Sequence, residues 1–288
     1  MIRLLLAAAI TAMSVLPAGA VWWLENDYSF GSNGLNRNSL TFFTIPARNL
    51  TAGLNAAFYK DSGVYDHKTF SFRVPMMYSG PRYSVSFKPF LYPVDGDTRS
   101  GAYGGKLFLL TSMSEEPDES SLRLSVSGAW ARQKARVLAA GVLAPAKKSF
   151  TQSSAELQAE KSFYGQFYFL ASAAAFSKPD GVSNATLVTP AMDQADLAYM
   201  GVFRQITALP DWIMTAQIAR NMKPEYDSYI YAGYSKISYR RADKANSLTG
   251  GIKLNLNEKS NLDMAYNAYK EDSSSWKSYY KLLLQLFF

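Results

Sequence analysis

Few residues of this chain have the types and the spacing that chemistry requires. Asn26 and Asp27 are adjacent, and amide and carboxylate oxygens are the ligands that a hard cation such as Ca²⁺ prefers. His67 is the single histidine and follows Asp66, a pairing suited to general acid–base catalysis. Neighbours along a strand point to opposite faces, however, and no Gly-x-Ser-x-Gly motif holds a nucleophile. Asn26, Asp27 and His67 are therefore the candidate catalytic residues, and they are too few for us to expect an enzyme, a metal site or a cofactor.

The composition excludes several further kinds of chemistry. The 288 residues include no cysteine, 48% are hydrophobic and 18% are charged. Without cysteine there is no disulfide, no thiolate nucleophile and no zinc site of the Cys/His type. The net charge is +7, and no nucleic-acid-binding motif accompanies it. We therefore do not expect a nucleic acid as a partner.

The segment WWLENDYSFGSNGLNRNSLTF, residues 22–42, resembles the opening of the outer-membrane lipid A 3′-O-deacylases. That family begins its first strand with Glu-Asn-Asp and continues to Thr-Asn-Gly; here Glu25-Asn26-Asp27 and Ser32-Asn33-Gly34 stand at those places. The resemblance implies a calcium-dependent barrel whose site contains Asn26 and Asp27. The Asp-Arg and the Tyr that precede the family's Thr, and its central His region, have no counterpart here. A lipid-modifying enzyme of the outer membrane is therefore an alternative hypothesis.

Residues 1–20 have the features of a secretory signal peptide. Arg3 is followed by an apolar stretch over residues 4–16 and by the small residues Ala18-Gly19-Ala20, which a signal peptidase recognises. The apolar stretch is shorter than the roughly 20 residues of a membrane-spanning helix. We therefore predict cleavage after residue 20 and one domain over residues 21–288.

The last residues of the chain carry the clearest strand pattern. Every second residue from Phe288 back to Tyr280 is apolar or aromatic, whereas the intervening residues include Lys281 and Gln285. One apolar face with an aromatic residue at each end is what a strand in contact with lipid needs. The terminal aromatic residue also resembles the C-terminal signature of bacterial outer-membrane barrels, which implies recognition of this strand by the barrel-insertion machinery.

Similar alternation recurs along the chain in segments of about ten residues, for example 121–131 and 247–256. Soluble strands average about five or six residues, whereas a tilted strand that crosses a bilayer needs about ten. An open sheet in lipid would leave backbone groups unpaired, so a spanning sheet has to close. The sequence therefore predicts an all-β fold: a closed antiparallel transmembrane β-barrel in the outer membrane of a Gram-negative bacterium.

The number of strands should be even, because both termini of such barrels lie in the periplasm. We predict 14 strands, with the long connections 132–152 and 177–210 outside the cell and tight turns inside. Segment 197–203 also alternates but is assigned to a connection, which leaves 12 strands as the alternative. The predicted strands are 22–30, 38–46, 49–59, 68–78, 82–92, 103–113, 121–131, 153–163, 165–176, 211–221, 228–239, 247–256, 260–270 and 276–288.

The faces opposite to the apolar ones are expected to line a mildly basic lumen. Excess cations in a pore lower the barrier for anions, although polar side chains also line barrels without such a role. The residues assigned to this lining are Arg73, Lys88, Lys106, Arg123, Glu156, Glu160, Asp196, Lys236, Lys253, Asp263 and Lys281.

Three functions are compatible with such a barrel. The main hypothesis is a porin-like passive channel for small solutes. The alternatives are the lipid-modifying enzyme and a plugged structural barrel in which 132–152 or 177–210 folds inward. We expect a monomer whose partners are outer-membrane lipids, including lipopolysaccharide. Basic residues near loop ends could bind the phosphates of lipopolysaccharide. These residues are Lys147, Lys148, Arg240 and Arg241.

Overall fold

The computed structural model describes part of the chain in detail. The described residues are 21–61, 67–94, 100–113, 121–139, 142–164, 166–179, 187–188, 196–198, 209–223, 228–239 and 243–288. The predicted signal peptide, residues 1–20, lies outside them. Among the described residues, no helix is long and apolar enough to cross a membrane.

The described residues form one antiparallel sheet of sixteen strand segments. A 3₁₀ turn, η1 (Ser32–Gly34), joins the first two of them. The segments are β1 (Trp22–Gly31), β2 (Leu35–Ala47), β3 (Leu50–Asp61), β4 (His67–Arg73), β5 (Met76–Ser79), β6 (Tyr83–Tyr92), β7 (Gly101–Ser112), β8 (Leu122–Ala139), β9 (Val142–Phe163), β10 (Phe167–Phe176), β11 (Leu187–Val188), β12 (Pro210–Lys223), β13 (Ser228–Tyr239), β14 (Ala245–Asn257), β15 (Ser260–Glu271) and β16 (Lys277–Phe287).

The sheet closes on itself. β1 pairs with β16, with Tyr28 opposite Leu282, and β8 pairs with β9, so the ring is continuous. β4 and β5 follow one another between β3 and β6 and are two halves of one barrel strand. β11 is a two-residue segment attached to β8. The result is a closed barrel of 14 antiparallel strands, which confirms the predicted fold class and strand number.

The two ends of the barrel differ in their connections. Trp22 and Phe287 lie at the same end, where the backbone amide of Phe288 donates a hydrogen bond to the Trp22 carbonyl over 3.0 Å. The tight turns that join β2 to β3 and β5 to β6 lie at this end as well. We call it the inner end and the opposite one the outer end.

One predicted connection is part of the barrel instead. Residues 132–152, expected to be an external loop, extend β8 and β9 into a long hairpin in which Arg132 pairs with Thr151. Interior-facing Ala131 and Gln133 are buried there, while Arg132 and Lys134 are exposed. The sequence pattern did not predict this extension, because its outward residues are charged and the strands were predicted from apolar outward faces. Of the alternating segment 197–203, the described residues 197 and 198 are not strand, and the others lie outside the described residues.

The two faces of the wall have opposite character. Large apolar side chains are exposed on the outer surface, as a barrel surrounded by hydrocarbon requires. Examples are Leu54, Phe87, Leu107, Val126, Leu157, Ile218, Ile230, Leu248 and Leu282. The inward residues form the core, a cluster that includes Tyr59, Phe90, Tyr92, Phe176, Ile213 and Ile237.

Candidate functional site

Residues 196–198, from the connection between β10 and β12, lie inside the barrel. Asp196 and Ala198 have no exposed surface, and Leu197 is 1% exposed. The Ser154 hydroxyl of β9 donates a hydrogen bond to the Leu197 carbonyl over 2.5 Å. Leu197 and Ala198 belong to the same apolar cluster as the inward side chains of the wall. We call residues 196–198 the plug segment.

The Asp196 carboxylate is held by three side chains of the wall. Arg73 on β4 donates from Nε to Oδ1 over 2.9 Å and from Nη2 to Oδ2 over 2.9 Å. The Tyr92 hydroxyl on β6 donates to Oδ2 over 2.6 Å. Lys88 Nζ, also on β6, lies 2.9 Å from Oδ1. We call Arg73, Lys88 and Tyr92 the carboxylate site.

The position of Arg73 is fixed by a second layer of side chains. Its Nη1 donates to Asn55 Oδ1 over 2.8 Å and to the Ser71 hydroxyl over 3.0 Å, and its Nη2 donates to the Tyr59 hydroxyl over 3.0 Å. Tyr59 also accepts a hydrogen bond from Arg37. Asn55 and Tyr59 belong to the neighbouring strand β3 and Ser71 to β4 itself, so side chains of the wall orient the guanidinium independently of Asp196.

The electrostatics of the site favour an ionised Asp196. Burial alone would raise the pKa of this carboxyl group, because desolvation disfavours the charged form. The charges of Arg73 and Lys88, with the hydrogen bonds from Arg73 and Tyr92, outweigh burial and hold the pKa of Asp196 well below its usual range. The plug segment therefore carries a negative charge at any physiological pH.

A second buried ion pair adjoins the carboxylate site. Lys106 Nζ on β7 lies 3.0 Å from Glu156 Oε2 on β9, and the Ser127 hydroxyl donates to the same oxygen over 3.0 Å. Lys106 is directly opposite Lys88 in the β6–β7 pair. Among the described residues, the cations Arg73, Lys88 and Lys106 thus lie near the carboxylates of Asp196 and Glu156.

Described interior side chains are more accessible toward the inner end than toward the outer end. Those near the outer ends of the strands are buried, for example Ala102, Gln133, Phe176 and Tyr239. Toward the inner end they are partly exposed, among them Glu25, Phe43, Tyr229, Asn261 and Gln285. The described residues therefore form a filled outer half and a more open inner half, and the carboxylate site lies on the boundary between them.

Most of the residues assigned to the lumen from the sequence face the interior. Besides the carboxylate site and its neighbour, Lys281 Nζ lies 2.8 Å from Asp263 Oδ2, and Arg123 Nη1 lies 3.7 Å from Glu160 Oε1. Lys253 is opposite Asp263 in the β14–β15 pair and is half-buried.

Lys236 lies on the outer face of β13 instead, between the buried, inward Ser235 and Ile237. Its side chain is exposed. The sequence pattern misassigned it because the interior face of β13 is itself largely aromatic and apolar, with Tyr229, Tyr231, Ile237 and Tyr239. Apolar alternation therefore does not distinguish the lipid side on this strand.

Asn26 and Asp27, two of the candidate catalytic residues, point to opposite faces of the wall. Asn26 points outward, where its Nδ2 donates to Asn38 Oδ1 over 2.8 Å. Asp27 points inward, is buried, and lies 2.8 Å from Arg37 Nη1. His67 begins β4, but its side chain is not among those described. Within the described residues there is no group of three or more His, Cys, Asp or Glu that could hold a metal ion.

Sequence reasoning did not single out Tyr59 and Tyr92, although both continue the inward alternation of their strands. A buried tyrosine hydroxyl requires a hydrogen-bond partner. Arg73 is such a partner for Tyr59, and Asp196 is one for Tyr92. The available signal was that Tyr92 follows Lys88 by four positions, on the same face of one strand.

Comparison with known proteins supports the fold. No protein-family model and no curated protein matches this sequence. The structure is similar to that of the CymD monoaromatic hydrocarbon channel, with a TM-score of 0.55, 12% identity, and coverage of 94% of this chain and 88% of that chain. It is also similar to outer-membrane expressed OmpT of Vibrio cholerae, with a TM-score of 0.51, 9% identity, and coverage of 93% of this chain and 97% of that one. The chain thus has the fold of bacterial outer-membrane barrels.

Proposed function

We propose that this protein is a channel for small solutes in the outer membrane of a Gram-negative bacterium, and that the plug segment closes it. The observation that carries the proposal is the Asp196 carboxylate, fully buried against Arg73 and Lys88 of the wall. The closed form is therefore maintained by an ion pair between a connecting segment and the barrel.

An ion pair is compatible with a plug segment that must leave the carboxylate site when the channel opens. Buried ion pairs stabilise a fold no better than well-packed apolar side chains do, because both charges lose their hydration. A permanent seal needs no charges. When the plug segment withdraws, water can solvate both partners again, so the same pair that holds the closed form is compatible with an open one.

The wall that remains after withdrawal has the properties of a pore lining. Arg73 and Lys88 would then face water beside the Lys106–Glu156 pair, a locally positive ring that favours anions. In the inner half, polar interior side chains such as Glu25, Asn261 and Gln285 are already partly exposed. CymD, to which the fold is similar at 12% identity, is a monoaromatic hydrocarbon channel.

Planar-bilayer recording with the purified protein tests the proposal. The wild type should show rare, discrete openings, and Asp196→Ala should raise the open fraction strongly, because the plug segment loses its attachment. Lys236→Gln on the outer face removes one charge without touching the interior and should behave as the wild type. If neither the wild type nor Asp196→Ala shows discrete conductance, the protein is not a channel.

A further inference from the structure

The environment of Asp196 has the form of a ligand-binding site. The two carboxylate oxygens receive the parallel donors Nε and Nη2 of Arg73, both over 2.9 Å. The Tyr92 hydroxyl and Lys88 Nζ complete the coordination. A planar guanidinium fork matches the two coplanar oxygens of a carboxylate. All three donors belong to the wall, and only the acceptor belongs to the plug segment.

Leu197, which follows Asp196, resembles the apolar part of a ligand. Leu197 is almost completely buried and lies in the apolar cluster beside the wall. The plug segment thus presents a carboxylate next to an apolar group of a few carbon atoms. The wall around this apolar group also contains aromatic rings. Phe90 and Tyr92 are in edge-to-face contact there, with ring centroids 6.1 Å apart.

We propose that the carboxylate site binds a small organic monocarboxylate with an apolar body, and that Asp196 with Leu197 occupies the site as the chain's own substitute for it. The solute's carboxylate competes with Asp196 for Arg73, Lys88 and Tyr92. Binding of the solute therefore displaces the plug segment. This inference rests on the proposed channel function and names the class of solute.

The donor set favours a carboxylate over a tetrahedral anion. Phosphate carries further oxygens that each require a donor once they are buried. The neighbouring Asn55 Oδ1 and Ser71 hydroxyl accept hydrogen bonds from Arg73 Nη1 and so are engaged in holding the guanidinium. Two cations and one hydroxyl group suffice for two carboxylate oxygens.

Competition with Asp196 has a measurable consequence. A ligand that binds only the vacated site has its apparent affinity reduced by the fraction of molecules in which the site is vacant. Removing the Asp196 carboxylate should therefore raise the affinity for a carboxylate ligand. An uncharged molecule of the same shape lacks the charge that Arg73 and Lys88 recognise, so it should bind the vacated site much more weakly than the carboxylate does.

Isothermal titration of the full-length protein in detergent tests the inference, with sodium benzoate as the carboxylate and benzyl alcohol as its uncharged match. We expect Asp196→Ala to bind benzoate about tenfold or more tightly than the wild type, and to bind benzyl alcohol at least about tenfold more weakly than benzoate. In the Asp196→Ala background, Lys88→Gln should weaken benzoate binding several-fold, and the matched Lys236→Gln should not. Migration on an unheated SDS gel verifies that each variant is folded.

The other results of the titration would contradict the proposed carboxylate ligand. If benzoate gains nothing in Asp196→Ala, or if benzyl alcohol binds that variant as tightly as benzoate does, the site does not recognise carboxylates. If inorganic phosphate gains as much as benzoate, the site is a general anion site and the proposed solute class is wrong. Conductance separates the two proposals: tighter benzoate binding without conductance retains the site and removes the channel, and conductance without tighter binding does the reverse.

Discussion

Arg73 and Asp196 are separated by 123 positions in the sequence, yet Arg73 Nε lies 2.9 Å from Asp196 Oδ1. Arg73 belongs to the barrel wall, whereas Asp196 belongs to the connection between β10 and β12. Both side chains are buried, so each depends on the other for compensation of its charge. The pair joins the wall to the segment that fills it.

The Tyr92 hydroxyl strengthens this attachment. Tyr92→Phe removes the 2.6 Å hydrogen bond to Asp196 and leaves the buried carboxylate with one donor fewer, at a cost of about 1–3 kcal/mol. We expect the equilibrium between closed and open forms to shift toward the open form by about tenfold, since about 1.4 kcal/mol corresponds to a factor of ten. The open fraction in bilayer recordings measures the shift. Tyr103→Phe, on an exposed outward tyrosine of β7, is the matched control, and equal behaviour of the two variants would contradict the assigned role of Tyr92.

The lowered pKa of Asp196 predicts how the plug responds to acid. A carboxyl group with a lowered pKa in the closed form contributes stability that is present above its ordinary pKa, about 3.9 for Asp. That contribution is lost as the pH falls through the lowered value. Conductance of the wild type should therefore be equally low at about pH 7 and about pH 5, and should rise only below about pH 3.9.

Asp196→Asn provides the control for this titration, because an amide does not ionise over the same range. Its conductance should show no acid-dependent rise from this position. A wild-type opening transition centred near neutral pH would mean that a different group, and not Asp196, holds the plug segment.

Adjacent residues of β16 test the assignment of the two faces. Leu282 is exposed on the outer surface, and Leu283 lies on the interior face beside Lys281 and Gln285 in the alternation. An arginine in contact with lipid near the bilayer midplane costs about 2–4 kcal/mol. Leu282→Arg should lower the free energy of unfolding in vesicles by that order, and Leu283→Arg by much less, as urea titration measures. The opposite ranking would invert the barrel faces.

The sequence was sufficient for the fold because alternation has a direct physical cause in a closed barrel. Phe288 back to Tyr280 predicted β16 through its apolar outward face, and the need to pair every backbone group in lipid predicted closure. The strand number followed from counting the alternating segments and requiring an even total. These predictions use only local periodicity and general constraints, and the structure confirms them.

The candidate site was less predictable for reasons that particular residues illustrate. The assignment of Arg73 and Lys88 to the interior followed from alternation, but alternation contains no information on which acidic residue they meet. Asp196 lies in a connection, whose path depends on tertiary contacts. The extension of β8 was not predicted, because its outward residues include Arg132 and Lys134. Beyond the apolar band of the barrel's outer surface, the outward residues of a strand are charged. Lys236 was misassigned where both faces of β13 carry large apolar or aromatic side chains.

The accessibility of Ala198 tests the central claim most directly, because the chain contains no cysteine and a single introduced thiol reports alone. Ala198 is fully buried, so Ala198→Cys should react slowly with a water-soluble maleimide. Combined with Asp196→Ala it should react about tenfold or more rapidly, since the labelling rate follows the population of the open form. Tyr164→Cys, at an exposed turn, should react rapidly in both backgrounds. Equally slow labelling of Ala198→Cys with and without Asp196 would show that the carboxylate does not hold the plug segment in place.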